Sequence, residues 1–141
     1  MTPYAKASDQ YLVQRVMGAS PLQLVILLLE GGQRFLGQAA QALQRQDFAL
    51  KARKTNTVLS IIDELTQRLD HEHGGELATN LAAIYAWWGQ EILAASSAKN
   101  PAQMERVISQ MGELRQAWEQ VERQGSGDPS NPGFQLQDMV G

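Results

Sequence analysis

The chain has 141 residues, of which 43% are hydrophobic and 19% are charged, and its formal net charge is −3 at pH 7. This size and composition predict a single globular domain with one core. The negative charge disfavours a general nucleic-acid-binding protein, because such proteins present a basic face to phosphates. The chain contains no cysteine, which excludes disulfides and thiolate zinc sites.

The first nineteen residues contain neither an apolar signal-peptide core nor a clear helical period. We expect residues 1–19 to form a segment that lies loosely over the rest of the protein or frays. The longest apolar run, residues 24–29, is far shorter than a membrane-spanning helix requires. These features predict a cytoplasmic protein without membrane insertion.

Capping residues and helical periodicity predict four helices in the next part of the chain, residues 20–124. Ser20 is suited to cap the first helix, with Pro21 at its first position and Gln23 completing a capping box. Asp47 and Asn100 are similar cap candidates for the second and fourth helices. The predicted helices cover residues 21–46, 48–70, 76–97 and 101–124.

Short loops between four helices predict an all-α fold, an antiparallel four-helix bundle. The last part of the chain, residues 125–141, is rich in Gly, Ser, Asp, Asn and Pro. Such a composition cannot bury enough apolar surface to order itself, so we expect a disordered tail.

The first and third predicted helices carry more apolar residues than one buried stripe requires. Ile26 and Leu27 point away from the stripe of the first helix, and Trp87 and Leu93 lie outside that of the third. Two interpretations remain open. In the first, the first helix sits centrally in the bundle and the N-terminal segment covers it. In the second, the surplus forms a groove for an amphipathic segment of another protein, with Trp87 as an anchor. Both interpretations hold if the N-terminal segment covers the groove until a partner displaces it.

Candidate chemical sites are few. His71-Glu72-His73 is the one cluster of metal-type ligands, and its spacing favours a polar loop at the C-terminus of the second helix over a metal site. The basic residues Lys51, Arg53 and Lys54 are interpreted as a solvated face. We therefore expect no cofactor, no metal ion, no nucleic-acid partner and no enzymatic activity. A metal-binding bundle enzyme and a scaffold that dimerises through its apolar surface remain alternatives.

Four blocks of the sequence resemble the flagellin-specific export chaperones of the FliS family, in the family's order and spacing over residues 11–123. They are Tyr11 with VMGASP at 16–21, then IIDELTQRLD at 61–70, GGELATNLAAIY at 74–85, and LRQAW at 114–118. The chain departs from the family pattern after the third block. Gln90 and Glu91 replace the usual arginine pair, and Trp87 replaces a tyrosine.

The resemblance implies a chaperone that binds the disordered C-terminal region of flagellin, prevents premature polymerisation in the cytosol and delivers it to the flagellar type III export machinery. It implies contacts with export-gate components as well, and an N-terminal segment that can lie over part of the flagellin site. Recognition of this kind places an amphipathic helix in a groove and couples folding to binding. The expected partner-binding residues are Tyr11, Leu12, Val16, Ile26, Leu27, Ile61, Tyr85 and Trp87.

Overall fold

The structure is a computed structural model that describes residues 3–125, with side chains from residue 10 onward. Its helices are α1 (Pro3–Met17), α2 (Pro21–Gln44), α3 (Phe48–Gln67), α4 (His71–Ala98) and α5 (Pro101–Arg123). No strand is present between residues 3 and 125, and the predicted all-α fold is confirmed. The predicted disordered tail lies outside the described residues, apart from Gly125.

The predicted helix caps at the starts of α2, α3 and α5 are confirmed. The Ser20 hydroxyl accepts a hydrogen bond from the Gln23 backbone N–H at 3.2 Å, and the Gln23 carboxamide oxygen accepts one from the Ser20 N–H at 2.9 Å. Asp47 and Asn100 accept bonds from the backbone N–H groups of the third residues of α3 and α5. These bonds satisfy donors that have no partner inside the first helical turn.

The start of α4 differs from the prediction. Residues 71–75 were expected to be a loop, but α4 begins at His71, and Asp70 is its N-cap. Gly75 has φ 51° and ψ −126°, which places a kink between this first turn and the main body of the helix. A positive φ is accessible to glycine without steric strain, so the chain turns here and then continues as a helix.

Helices α2 to α5 form the predicted bundle. α2 packs against both α3 and α5, and α4 packs against the same two helices, so the four form a closed ring. The α2–α5 contact is close because glycines lie in it: a Cβ on Gly112 would be 2.7 Å from Gln33 Nε2, and one on Gly32 would be 3.2 Å from Met111 Sδ. The centre of the ring is filled by buried side chains, the largest being Trp88, Trp118, Tyr85, Leu22, Leu29, Leu36, Leu65 and Ile92.

Candidate partner-binding site

An apolar groove opens at the end of the bundle where α2 begins, α3 ends and α4 begins. Its volume is about 430 Å³. The buried side chains of Leu65, Leu81 and Tyr85 contribute to its lining, together with half-buried apolar side chains from three helix ends. The half-buried lining residues are Val25 of α2, Leu69 after α3, and Leu77 of α4.

The groove is chemically suited to apolar side chains. Burial raises the pKa of the Tyr85 phenol well above its ordinary value, so the ring lines the groove as a neutral group. The charged lining residues are Arg68 and Asp70, both exposed. An apolar cleft with a few polar groups is typical of a site that accepts the apolar face of a helix.

The outward face of α4 is a second apolar surface. Trp87 is 43% exposed and Leu93 is 54% exposed, and three exposed alanines at positions 83, 86 and 94 lie on the same helix. Between residues 77 and 98 the one charged residue is Glu91, which is half-buried and accepts a hydrogen bond from Gln103 Nε2 at 2.8 Å. This surface, which we call the α4 outer face, confirms the predicted placement of Trp87 and Leu93 outside the buried stripe.

The predicted placement of Ile26 away from the buried stripe is wrong. Ile26 is 6% exposed and belongs to the hydrophobic core, while Leu27 is half-buried. The reason is that α2 packs against two neighbours, α3 and α5, so its buried arc is wider than a single stripe. Much of the apparent surplus on α2 is therefore used by the bundle itself.

The N-terminal segment is loosely attached, as predicted, but it forms a helix, which the sequence did not predict. α1 has no extensive packing against α2–α5, and its described ion pair with the bundle joins Arg15 Nη1 to Glu30 Oε2 at 3.5 Å. Tyr11 is 60% exposed, Val16 is also exposed, and Leu12 is half-buried. The apolar residues of α1 do not form one stripe, and this is why a period-based reading of the sequence missed the helix.

The eight predicted partner-binding residues are not brought together at one place. Tyr85 lines the groove, whereas Trp87 lies on the opposite side of α4. Ile61 is half-buried and packs against Gly31 of α2. Helical spacing places the groove residues Val25, Leu69, Leu77 and Trp118 on the buried stripes of their helices, so the sequence does not indicate them as binding residues. The signal in the sequence for Val25, Leu69 and Leu77 is that they are apolar residues close to helix ends.

The His71–His73 region is a helix cap. The Asp70 carboxylate accepts hydrogen bonds from the N–H groups of Glu72 and His73, both at 3.1 Å, and lies 2.8 Å from His73 Nδ1. The hydrogen bond with the His73 side chain lowers the pKa of Asp70 below its ordinary value. Asp70, Glu72 and His73 place ligand-type atoms within 4.8 Å of one another, all exposed. Capping of α4 accounts for this arrangement of Asp70, Glu72 and His73. The predicted position of His71–His73 at the end of the preceding helix is wrong, since these residues begin α4.

Among the described residues, no helix is long and apolar enough to span a membrane.

Comparison with known proteins agrees with the arrangement of helices and sequence blocks. Residues 4–125 match the family model described as "Flagellar protein FliS". The chain is 33% identical over 123 residues to the flagellar secretion chaperone FliS of Salmonella typhimurium strain LT2, covering 86% of this chain and 91% of the relative. It is 30% identical over 120 residues to the flagellar secretion chaperone FliSB of Pseudomonas aeruginosa strain PAO1, covering 82% and 95%.

A third relative, the flagellar secretion chaperone FliS of Vibrio cholerae, is 30% identical over 107 residues, with 76% of this chain and 79% of the relative covered. These relatives are named as chaperones and not as enzymes, which agrees with the expectation of a non-enzymatic flagellar chaperone. The family resemblance inferred from the four sequence blocks is confirmed. The chain belongs to the FliS family of flagellar proteins.

Proposed function

We propose that this protein is a cytosolic chaperone that binds the disordered C-terminal region of a flagellin, prevents its premature polymerisation and presents it to the flagellar export machinery. The observation that carries the proposal is the presence of two apolar surfaces that the bundle leaves partly open to solvent. These are the groove at the α3–α4 end and the α4 outer face. The names of the relatives, flagellar secretion chaperones, support the same class of function.

The physical basis of such binding is burial of apolar surface on both partners. A disordered segment folds into amphipathic helices as it binds, and the entropy lost on ordering reduces the net affinity. Reduced net affinity is useful for a chaperone because the bound segment has to be released at the export machinery. Binding at either surface involves no covalent step.

The residues that we assign to flagellin binding divide into two groups. Tyr85 lines the groove with Leu69 and Leu77, and Trp87 projects from the α4 outer face. Leu27 and Ile61 are half-buried and are proposed to contact the edges of the bound segment. Ile26 belongs to the core and is not assigned to binding.

We further propose that α1 takes part in partner binding through Tyr11, Leu12 and Val16, either as a cover that flagellin displaces or as a surface for export-gate components. The helix ends at Met17, close in sequence to Pro21, which lines the groove. Removing residues 1–15 tests whether α1 is itself part of the flagellin site. A cover gives unchanged or tighter flagellin binding after truncation, since its displacement opposes binding. A helix that serves another partner leaves flagellin affinity unchanged. A loss of flagellin binding by a folded truncated chain contradicts both and makes α1 part of the flagellin site.

The central test is sedimentation of the protein alone and with the C-terminal segment of the flagellin from the same organism. We expect a defined heterocomplex. Trp87→Ala is expected to weaken it by more than ~1 kcal/mol, and Leu69→Ala with Leu77→Ala is expected to weaken it further. Ile108→Ala is the matched control, because Ile108 is a half-buried apolar residue of α5 that does not line the groove.

Two results would contradict the proposal. A stable dimer that does not bind the flagellin segment would favour the scaffold alternative. Equal weakening by Ile108→Ala and by the groove variants, with all variants folded, would show that the groove is not the binding site.

A further inference from the structure

The two ends of the bundle carry opposite charge. The region around the α3–α4 turn is acidic, and the region around the α2–α3 turn is basic. In residues 63–76 the charged side chains are Asp63, Glu64, Arg68, Asp70, Glu72 and Glu76, with two histidines. In residues 45–54 they are Arg45, Asp47, Lys51, Arg53 and Lys54. Asp47 is occupied as the N-cap of α3, so the α2–α3 end presents mainly cations.

The cations of the basic end have no carboxylate partners. In the described part of the chain, the arginines that form ion pairs are Arg15, Arg68 and Arg115, and none of them lies near the α2–α3 turn. Lys51 is used within the fold, because its Nζ donates hydrogen bonds to the carbonyl and hydroxyl oxygens of Ser96 at 3.4 and 3.0 Å. Arg45, Arg53 and Lys54 remain free of ion pairs, as does Arg34 on α2.

An aromatic ring positions two of these cations. Arg34 Cζ lies 4.9 Å from the ring centroid of Phe35, and Lys54 Nζ lies 5.1 Å from the same centroid. The ring face attracts cations and holds the two flexible side chains near the α2–α3 contact. Arg45, the C-cap of α2, lies eleven residues after Arg34, which is about three turns, so it is on the same side of the helix and about 16 Å along its axis. We call Arg34, Arg45, Lys54 and Phe35 the basic seam.

We propose that the basic seam binds an acidic segment of a partner polypeptide. Guanidinium and ammonium groups that are not ion-paired are open to carboxylates, and arginine can bind a carboxylate with two parallel hydrogen bonds. A segment with carboxylates spread over about 16 Å would reach both arginines of α2. The site is distinct from the groove, which lies at the opposite end of the bundle.

The charge distribution favours a polypeptide over an extended polyanion. The chain has a formal net charge of −3, which disfavours binding of an extended polyanion such as nucleic acid or an anionic membrane. The seam has three cations, whereas anionic lipids are bound by clusters of about four to eight. Its aromatic residue, Phe35, is half-buried. A short acidic segment makes only local contacts and avoids repulsion by the net charge.

The proposal is tested with a fluorescently labelled deca-glutamate peptide, whose binding to the full-length protein is followed by anisotropy at 25 mM and 150 mM NaCl. We expect saturable binding that weakens with salt. The double variant Arg34→Gln/Lys54→Gln is expected to bind about tenfold more weakly, since it removes two charge-assisted contacts. The control Arg106→Gln/Arg123→Gln removes two exposed α5 cations that are also free of ion pairs, and is expected to change affinity less than about twofold.

Phe35→Leu tests the positioning role of the ring because it leaves the net charge unchanged. We expect a drop of a few-fold in affinity for the peptide, with helical circular dichroism retained. Equal losses in the two double variants would overturn the proposal, because the effect would then be one of net charge. Absence of binding at 25 mM NaCl overturns it as well. Tighter, seam-dependent binding of phosphatidylserine vesicles or of an oligothymidylate would also overturn it and identify a polyanion site.

Discussion

The adjacent residues Trp87 and Trp88 should respond in opposite ways to replacement by alanine. Trp88 is 1% exposed, its ring centroid lies 5.6 Å from that of Tyr85, and its Nε1–H donates a hydrogen bond to Gln110 Oε1 at 2.9 Å. Trp87 points outward from the same helix and is 43% exposed. The first is a core residue, and the second is assigned to partner binding.

Replacing the buried ring leaves a cavity and removes a hydrogen bond. Trp88→Ala is expected to lower the free energy of unfolding by ~3–5 kcal/mol from lost burial, with ~1 kcal/mol more because Gln110 loses its donor. For a bundle of this size that corresponds to a fall in Tm of about 15 °C or more. Trp87→Ala is expected to change stability by less than ~1 kcal/mol.

The assay is urea denaturation followed by helical circular dichroism, with Trp88→Phe as an intermediate variant that keeps an aromatic ring next to Tyr85 but cannot donate to Gln110. We expect the order Trp87→Ala, Trp88→Phe, Trp88→Ala from least to most destabilised. If Trp87→Ala destabilises the protein as much as Trp88→Ala, the assignment of Trp88 to the core and of Trp87 to the surface is refuted. A loss below 1 kcal/mol for Trp88→Ala would refute it equally.

Three further changes test local features of the fold. Ser20→Ala should lower the free energy of unfolding by ~1 kcal/mol, as loss of a helix cap does, with partner affinity unchanged while the protein is folded. Gly112→Ala should change the free energy of unfolding by less than ~1 kcal/mol, because the added Cβ displaces only the flexible Gln33 carboxamide, and the loss of its hydrogen bond to the Ile108 carbonyl is offset by the higher helix propensity of alanine. In a Gln33→Ala background the same change should be stabilising, which urea denaturation of the single and double variants can measure. The pKa of Asp70 is lowered in the folded state, so its carboxylate stabilises the fold above its ordinary pKa, and this stabilisation disappears as the pH falls through the lowered value. Between pH 5 and pH 2 the native chain should therefore lose more stability than Asp70→Asn, and parallel pH profiles of the two would contradict the cap assignment.

Local signals in the sequence were sufficient for most of the fold. Ser20, Asp47 and Asn100 are cap residues directly before apolar periodic stretches, and each is used as predicted. The burial of α5 on one face also follows from spacing alone. By contrast, the helical turn before Gly75 depends on a positive φ, and sequence spacing does not show whether a glycine pair ends a helix or bends it.

The candidate site was harder to predict because it depends on tertiary structure. Trp87 could be recognised since it lies off the stripe of its own helix. Ile26 could not be placed, because the width of the buried arc of α2 depends on how many helices contact it. The groove was missed for a similar reason, since three helix ends create it and no single helix carries its pattern.

The α4 outer face has a consequence for how members of such a family diverge. Its side chains, Trp87 and Leu93 among them, project into solvent, whereas Gly32 lies against the buried Met111 side chain where α2 packs on α5. Substitutions on the outer face leave the core intact, so they change the surface offered to a partner with little loss of folding stability. The positions that determine the shape of the bundle are thus separate from those that face a partner, so partner preference can evolve while the bundle stays the same.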